Sequence, residues 1–260
     1  MIDLPFDPDL VLGPLRTTWH SLFGLLGILA GAALGMRLIS ARVRFADAYA
    51  VALAGVVGGV VMSRVFHVVD AWPVLYARDP LAALALWNGG ASITGGIVGG
   101  LLASLPIVRS RLLPAGYLFD RAHLALPLGM AIGRIGDLIN GEHWARACSG
   151  VAWCVRYTHP NSPGQRDYVH PAVGYELLAD LIILAVLLAL LPWADRQRRR
   201  PQLLFVFLGL YGLARLALGA YRLDPSFAFG LSQAEVVSIG FIALAMATLA
   251  WLRRPAPPPT

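Results

Sequence analysis

Apolar residues gather into seven long runs separated by short polar breaks, near residues 19–36, 46–66, 82–107, 122–140, 172–194, 202–220 and 231–252. Each is close to the roughly 20 residues a helix needs to cross a bilayer's hydrocarbon core. The pattern predicts an all-α, polytopic membrane protein with about seven transmembrane helices. One longer polar stretch, residues 141–171, is rich in Pro, Asn, Arg and His. It is expected to form a small head inserted between the fourth and fifth spans. No linker or soluble second domain is visible, so residues 1–260 read as a single integral membrane domain.

The backbone chemistry varies among these runs. Gly27, Gly31 and Gly35 recur at four-residue spacing, and Gly55 and Gly59 repeat it in the second run. Such small-residue ridges let helices approach closely in lipid. The third run contains GGASITGGIVGG at 89–100, with six glycines. That composition is poor for a plain helix and predicts non-helical backbone, tolerated at membrane depth only where it lines a cavity or is buried in protein. Ahead of it, Asp79-Pro80 predicts the N-cap and first position of a short helix. Trp72, Tyr76 and Trp87 flank that piece and suit the membrane interface.

Composition narrows the classes. Of 260 residues, 57% are hydrophobic and only 14% charged, against about 25% charged in a soluble domain. Disorder, a coiled coil and an ordinary soluble enzyme are excluded. All 21 basic residues are arginine, a fork-shaped cation that never loses its charge. The net charge of +6 lies mostly in short loops, so it reads as topology and lipid-headgroup contact, with no nucleic-acid partner. Twelve arginines, among them Arg37, Arg42, Arg44, Arg198–Arg200, Arg253 and Arg254, fall on one side of the spans, and seven on the other. The positive-inside rule then predicts an extracytoplasmic N-terminus and head and a cytoplasmic C-terminus. The opening MIDLPFDPDL has no early cation, unlike the basic start of a signal peptide, so the first span is expected to be retained. Cys148 and Cys154 both lie in the head. They are either a small disulfide loop, permitted outside the cytoplasm, or two free thiols. No metal motif is present.

Two arginines, Arg134 and Arg215, fall inside predicted spans. Each costs roughly 2.5–3.5 kcal/mol at a helix centre, so each must face a partner or a polar cavity. Arg134 begins the densest polar run, GRIGDLINGEHWAR at 133–146, where Arg134 and Asp137 can face each other at i, i+3. The run is either an anion site or a buried ion pair followed by a loop. HPAVGYE at 170–176 puts Tyr175 and Glu176 in the opening turns of the fifth span, and YGLARLALGAYRLDP at 211–225 carries Arg215. Glu176 could pair structurally with an arginine. Two buried guanidinium groups from different spans suit one shared phosphate. The abundant phosphate in a membrane is a lipid headgroup. The expectation is that Arg134 and Arg215 meet around it; if each were locked onto a carboxylate with no hollow between them, that reading would fail.

These stretches resemble the bacterial prolipoprotein diacylglyceryl transferase family. Its pattern G-R-x-G-N-F-I-N-G-E-x-W-G-R is similar to 133–146, H-P-x-Q-L-Y-E to 170–176, and Y-G-x-x-R-F-x-x-E-F-x-R-x-P-D to 211–225. The glycine stretch at 89–100 and LGPLRTTWHSLFG at 12–24 extend the resemblance over nearly the whole chain. It implies transfer of the diacylglyceryl group of phosphatidylglycerol to the lipobox cysteine of a lipoprotein precursor at the inner membrane, forming a thioether and releasing glycerol phosphate. The partners implied are phosphatidylglycerol, lipoprotein-precursor signal peptides and the bilayer, with no cofactor or metal. The residues implied are Arg134 and Arg215 for the phosphate, with Asp137, Asn140, Glu142, Tyr175 and Thr94 as binding, positioning or proton-handling groups.

The chain departs from the family pattern at named positions. The family has His where Thr94 stands, Asn at Asp137, Glu at Gly219, Tyr at His20 and Gly-Gln at Ala234-Glu235. The His and the Glu are functional positions of the family. His143, beside Glu142, is a candidate replacement base because imidazole titrates near neutrality; the alternative is an interfacial histidine facing water. No role is inferred for His67, His123 or His159. Two competing functions stay open: a lipid-binding paralogue with altered or no catalysis, and a small transporter. Intramembrane Arg and Asp also mark solute pathways, although no pair of interrupted segments suggests an inverted repeat.

Overall fold

The computed structural model describes residues 1–13, 15–85, 90–196 and 202–252. Trp87, Asn88, Gly89, the Arg198–Arg200 run, Arg253 and Arg254 lie outside the described residues. Among the described residues, eight α-helices make up most of the structure: α1 (Trp19–Ile39), α2 (Phe45–Ala71), α3 (Ile93–Ser110), α4 (Ala115–Ala122), α5 (Ala125–Asn140), α6 (Ala172–Arg196), α7 (Leu203–Gly219) and α8 (Gln233–Leu252). Four short strands accompany them: β1 (Ile2–Leu4), β2 (Asp9–Leu12), β3 (Leu15–Thr18) and β4 (Val155–Tyr157). Among the described residues, six helical segments are long and apolar enough to cross a bilayer: α1, α2 with its extension to Tyr76, α3, α4 with α5, α6 and α8. α7, with 17 residues, is shorter and equally apolar. The expected all-α polytopic membrane architecture is therefore observed, with little sheet.

Small residues set the helix pairing, as their spacing implied. α1 packs on α5, α2 on α3, α7 on α8 and α5 on α6. A side chain at Gly31 would put its Cβ 2.7 Å from the carbonyl oxygen of Ala125, so glycine is what allows α1 to lie against α5.

The expectation of non-helical backbone through the glycine stretch needs correction. From Ile93 onward the chain is regular α-helix, with Ser92 as N-cap accepting from Gly95 N. The glycines are spent on packing. A Cβ at Gly95 would lie 2.5 Å from the Met62 carbonyl oxygen, and one at Gly59 3.2 Å from that of Gly96. Close packing of α3 on α2 overrides the weak helix propensity of glycine. Ahead of α3, Pro80–Leu84 forms a 3₁₀ turn with the proline in its first turn, but Asp79 makes no side-chain cap there. Arg64 anchors this piece from α2, donating to the carbonyls of Ala82, Ala83, Ala85 and Gly90 at 2.9–3.1 Å.

At the end of the bundle formed by α4, the last turns of α6 and the start of α7, Leu118, Leu124, Leu187, Leu203 and Phe207 are essentially inaccessible. There Asp120 of α4 caps α7 across the fold. Its Oδ1 accepts from Leu203 N at 2.7 Å and Leu204 N at 3.3 Å, satisfying backbone donors that a helix start leaves unpaired.

The opposite end carries the head. Cys148 and Cys154 are disulfide-bonded, which resolves the two alternatives left open by the sequence. The head extends beyond residues 141–171. β1 pairs in parallel with β4, in register Ile2↔Val155 to Leu4↔Tyr157. Ala145 bridges Arg222, and Leu223 N donates to Trp144 O at 3.0 Å. Ala145, Val155, Tyr157, Val169 and Ala172 pack into a small apolar core of their own against Leu4. Residues from the chain's start and from the α7–α8 connection thus complete the insertion. The β2–β3 hairpin leads directly into α1.

Candidate active site

The site forms where α5 ends beneath the head. Asn140 is the last residue of α5 because Gly141 adopts φ +82° and returns its N–H to Asp137 O at 3.0 Å. This is the left-handed C-cap that glycine makes at low cost. A side chain at Gly141 would also collide with Gly164, at 2.7 Å. Ser162 Oγ donates to the Asn140 carbonyl at 2.9 Å, holding the head against this turn.

Three arginines converge on one carboxylate. Arg134 Nη2 lies 2.7 Å from Glu176 Oε2, Arg215 Nη1 2.8 Å from Glu176 Oε1, and Arg222 Nη1 3.3 Å from the same oxygen. Arg134 Nη1 also reaches Asp137 at 3.1 Å. Asp224 receives Arg215 Nη2 at 2.6 Å and Arg222 Nη2 at 2.8 Å. Arg134, Arg215, Arg222, Glu176 and Asp137 are all buried. Arg134 and Arg215 therefore meet as expected, but Glu176 fills the space between them and each is locked onto carboxylates, so the expectation of a shared hollow for one phosphate does not hold. The reason is electrostatic. A buried guanidinium is tolerable only beside an anion, and Glu176 projects from the first turns of α6 to serve three at once. The structural pairing with arginine expected of Glu176 is the one observed.

The cluster is not saturated. Among the described residues, Arg134 Nε, Asn140 Oδ1 and Asp180 Oδ2 are buried without a hydrogen-bond partner. A free donor and two free acceptors thus remain beside the charge cluster, and buried polar groups without partners are uncommon. Asp224, outside the spans, would be raised by burial alone, but hydrogen bonds from Arg222 and the charges of Arg222 and Arg215 hold its carboxyl down at about 2.

Other residues singled out by the sequence fall at varying distances from this centre. Asn140, 1% exposed, donates from Nδ2 to Glu142 Oε1 at 3.3 Å. His143 takes φ +67° and stands 4.0 Å from Asp137 Oδ2. Burial, then the charges of Arg222 and Arg134, push its imidazole down to about 4, so it is neutral at pH 7 and a weak base. Glu142 and His143 line a small cleft with Tyr157, Gln165 and His170. Tyr175 belongs to an aromatic group. Its hydroxyl meets Trp153 Nε1 at 2.8 Å and His170 Nδ1 at 3.1 Å, and its ring lies edge-on to Tyr221. Thr94 is buried in the first turn of α3. Among the described residues, no hydrogen bond or ion pair joins Thr94 or Tyr175 to the arginine cluster.

Four departures from the family pattern meet as two pairs in space. His20 and Asp137 are hydrogen-bonded through Nδ1 and Oδ1. Gly136 makes this contact possible, since a Cβ there would lie 2.5 Å from the Trp19 carbonyl oxygen. Likewise, a Cβ at Gly219 would lie 2.7 Å from Glu235 Oε1. Glu235 is held by Ser232, whose N and Oγ both donate to Oε2 at 2.8 Å, a reciprocal cap at the start of α8. Sequence reasoning missed His20, Arg222 and Asp224 as members of the site. Arg222 and Asp224 sit inside a motif already singled out. His20 carries no local signal, because its partner is 117 residues away.

Comparison with known proteins is consistent across the chain. The family model described as prolipoprotein diacylglyceryl transferase matches residues 9–251. A phosphatidylglycerol–prolipoprotein diacylglyceryl transferase from Nostoc sp. is 33% identical, covering 95% of this chain and 90% of the relative. One from Verminephrobacter eiseniae is also 33% identical, covering 96% and 89%. One from Rhodospirillum rubrum is 31% identical, covering 98% and 96%.

Proposed function

The chain belongs to the prolipoprotein diacylglyceryl transferase family, and on that premise we propose that it moves the diacylglyceryl group of phosphatidylglycerol onto the lipobox cysteine of prolipoproteins. The cysteine sulfur bonds to the glyceryl carbon, the carbon–oxygen bond to phosphate breaks, and glycerol phosphate leaves with the electron pair. The observation that carries the reading is the family match over residues 9–251; Arg134, Arg215 and Arg222 converge on Glu176 rather than on a hollow, and they support the reading only through the donors that the carboxylates leave unengaged. Each guanidinium has five N–H donors. The carboxylates engage only some of them, and Arg134 Nε is free. The cluster is preorganised to stabilise the negative charge that grows on a departing phosphate, while Asn140 Oδ1 offers an acceptor to a headgroup hydroxyl.

We assign the phosphate to Arg134 and Arg215, and binding or proton-handling roles to Asp137, Asn140, Glu142, Tyr175, Thr94 and His143. The head of residues 141–171 and the N-terminus are assigned to the extracytoplasmic side, and the C-terminus to the cytoplasm. The arginine asymmetry supports this, as does the Cys148–Cys154 disulfide, a bond of oxidising compartments. β1 pairs with the head, so residues 2–4 share its side of the bundle.

The test is a transfer assay with phosphatidylglycerol and a lipobox peptide. The parent protein forms the thioether product, and Arg134→Ala and Arg215→Ala each lower the rate by about 100-fold or more, the scale of losing one charge-stabilising group. Binding of phosphatidylglycerol without any product in the parent protein would instead favour the paralogue with altered catalysis, a reading that Thr94 at the family's histidine position supports.

A further inference from the structure

We propose that His20 is the general base that takes the proton from the acceptor thiol, with Asp137 as its positioning residue. The inference rests on the transferase reading and supplies what that reading lacks, a proton acceptor, since the family's histidine position is Thr94 here. The geometry is that of a carboxylate–imidazole pair. Asp137 is buried and His20 is not: their side chains are 7% and 46% exposed. The carboxylate holds Nδ1 of the ring. That bond fixes the tautomer with the hydrogen on Nδ1 and leaves the Nε2 lone pair as the acceptor, and the carboxylate stabilises the imidazolium that forms. Among the described residues, Nε2 of His20 has no partner.

Asp137 also connects the two halves of the reaction. One of its oxygens holds His20 and the other receives Arg134 Nη1 at 3.1 Å. The base is therefore one carboxylate away from an arginine of the phosphate cluster. A thiol beside Nε2 lies close to the glyceryl carbon of a lipid whose phosphate engages Arg134. The S–H proton passes to Nε2, the sulfur pair forms the S–C bond, and the C–O pair departs with glycerol phosphate. Nε2 then releases its proton to solvent through the exposed face of the ring. The charged groups facing His20 from α5 and its C-terminal turn are Asp137, Arg134 and Glu142, with His143 on the far side of Asp137. His143, 4.0 Å from the same carboxylate and turned into the Arg134–Arg222 field, is the weaker candidate.

The test compares the parent protein with His20→Gln, and with His20→Asn should the first not fold, in the phosphatidylglycerol–lipobox peptide assay across pH 6 to 9.5. Loss of a general base lowers kcat by about 100-fold or more at pH 7, with KM for the lipid within about twofold. Above the ordinary thiol pKa of about 8.5 the acceptor ionises unaided, so the gap narrows to about tenfold or less, and added imidazole partly restores the rate at pH 7. A gap that stays constant with pH, or full activity without His20, overturns the assignment. No product from the parent protein, by contrast, overturns the transferase reading itself and takes this assignment with it.

Discussion

Glu176 is a single carboxylate shared by three guanidinium groups. Removing it would leave like charges facing one another in a low-dielectric interior, the situation in which breaking one buried partner costs about 3–5 kcal/mol. Asp224 carries the remaining load and allows a cleaner measurement, because its titration lies at the cluster's outer edge. Its folded-state pKa of about 2 lies below the ordinary 3.8. A depressed carboxylate stabilises the fold above its unfolded pKa and loses that contribution as pH falls through the folded value. The Asp224 interactions thus contribute roughly 2 kcal/mol above about pH 4 and progressively less toward pH 2. In thermal unfolding at constant detergent, Asp224→Asn should lower Tm at pH 7, and the difference from the parent should shrink as pH approaches 2; a difference independent of pH would refute the account. At this scale the expensive residues were legible. Arg134 and Arg215 declared themselves by the cost of a cation among apolar neighbours. Their shared partner was readable only as one option, and His20 only as an oddity, because contacts made across more than 100 residues leave no trace in local spacing.

Among the elements, hydrophobic run length located the helices well, while composition misjudged α3. Six glycines in 89–100 argue against a helix considered alone. The same glycines are what a helix requires when its neighbour's backbone comes within contact of its own, as α2 does at Gly95 and Gly99. Intrinsic propensity describes an isolated segment; in lipid the close helix–helix contact decides. α7 illustrates the complementary case of a helix start stabilised from outside its own sequence. Asp120, 83 residues earlier, accepts from Leu203 N. Asp120→Ala should reduce stability by about 1 kcal/mol, the usual value of a helix N-cap, read as a lower denaturant midpoint with the spans intact by circular dichroism. Asp120→Asn, which keeps an acceptor oxygen, should lose less, and equal losses would show that the carboxylate's charge rather than its hydrogen bonds matters.

The whole molecule divides into an apolar bundle and a small polar cap joined through the turn after α5. The bundle was predictable because a bilayer demands long apolar runs and rewards little else. The cap was predicted only as residues 141–171, since its β-pairing uses three residues from the chain's start and its Ala145–Arg222 bridge draws on the segment after α7. With so little apolar core of its own, the cap depends on the cross-link between Cys148 and Cys154. Closing a loop of that length contributes about 2 kcal/mol in the chain-entropy account. The Cys148→Ala, Cys154→Ala double variant should therefore expose the cap to limited proteolysis at lower temperature than the parent, with bundle helicity unchanged. Equal protease resistance would mean that the strand pairing suffices.

The parallel pairing of β1 with β4 has a consequence for biogenesis. β1 leaves the ribosome about 150 residues ahead of its partner β4, an interval of roughly 8–30 s at ordinary elongation rates of about 5–20 residues per second. During that time α1 through α5 emerge while the leading segment waits unpaired. The cap can close only after the insertion machinery has delivered most of the bundle, so premature release of a truncated nascent chain yields helices with no finished site.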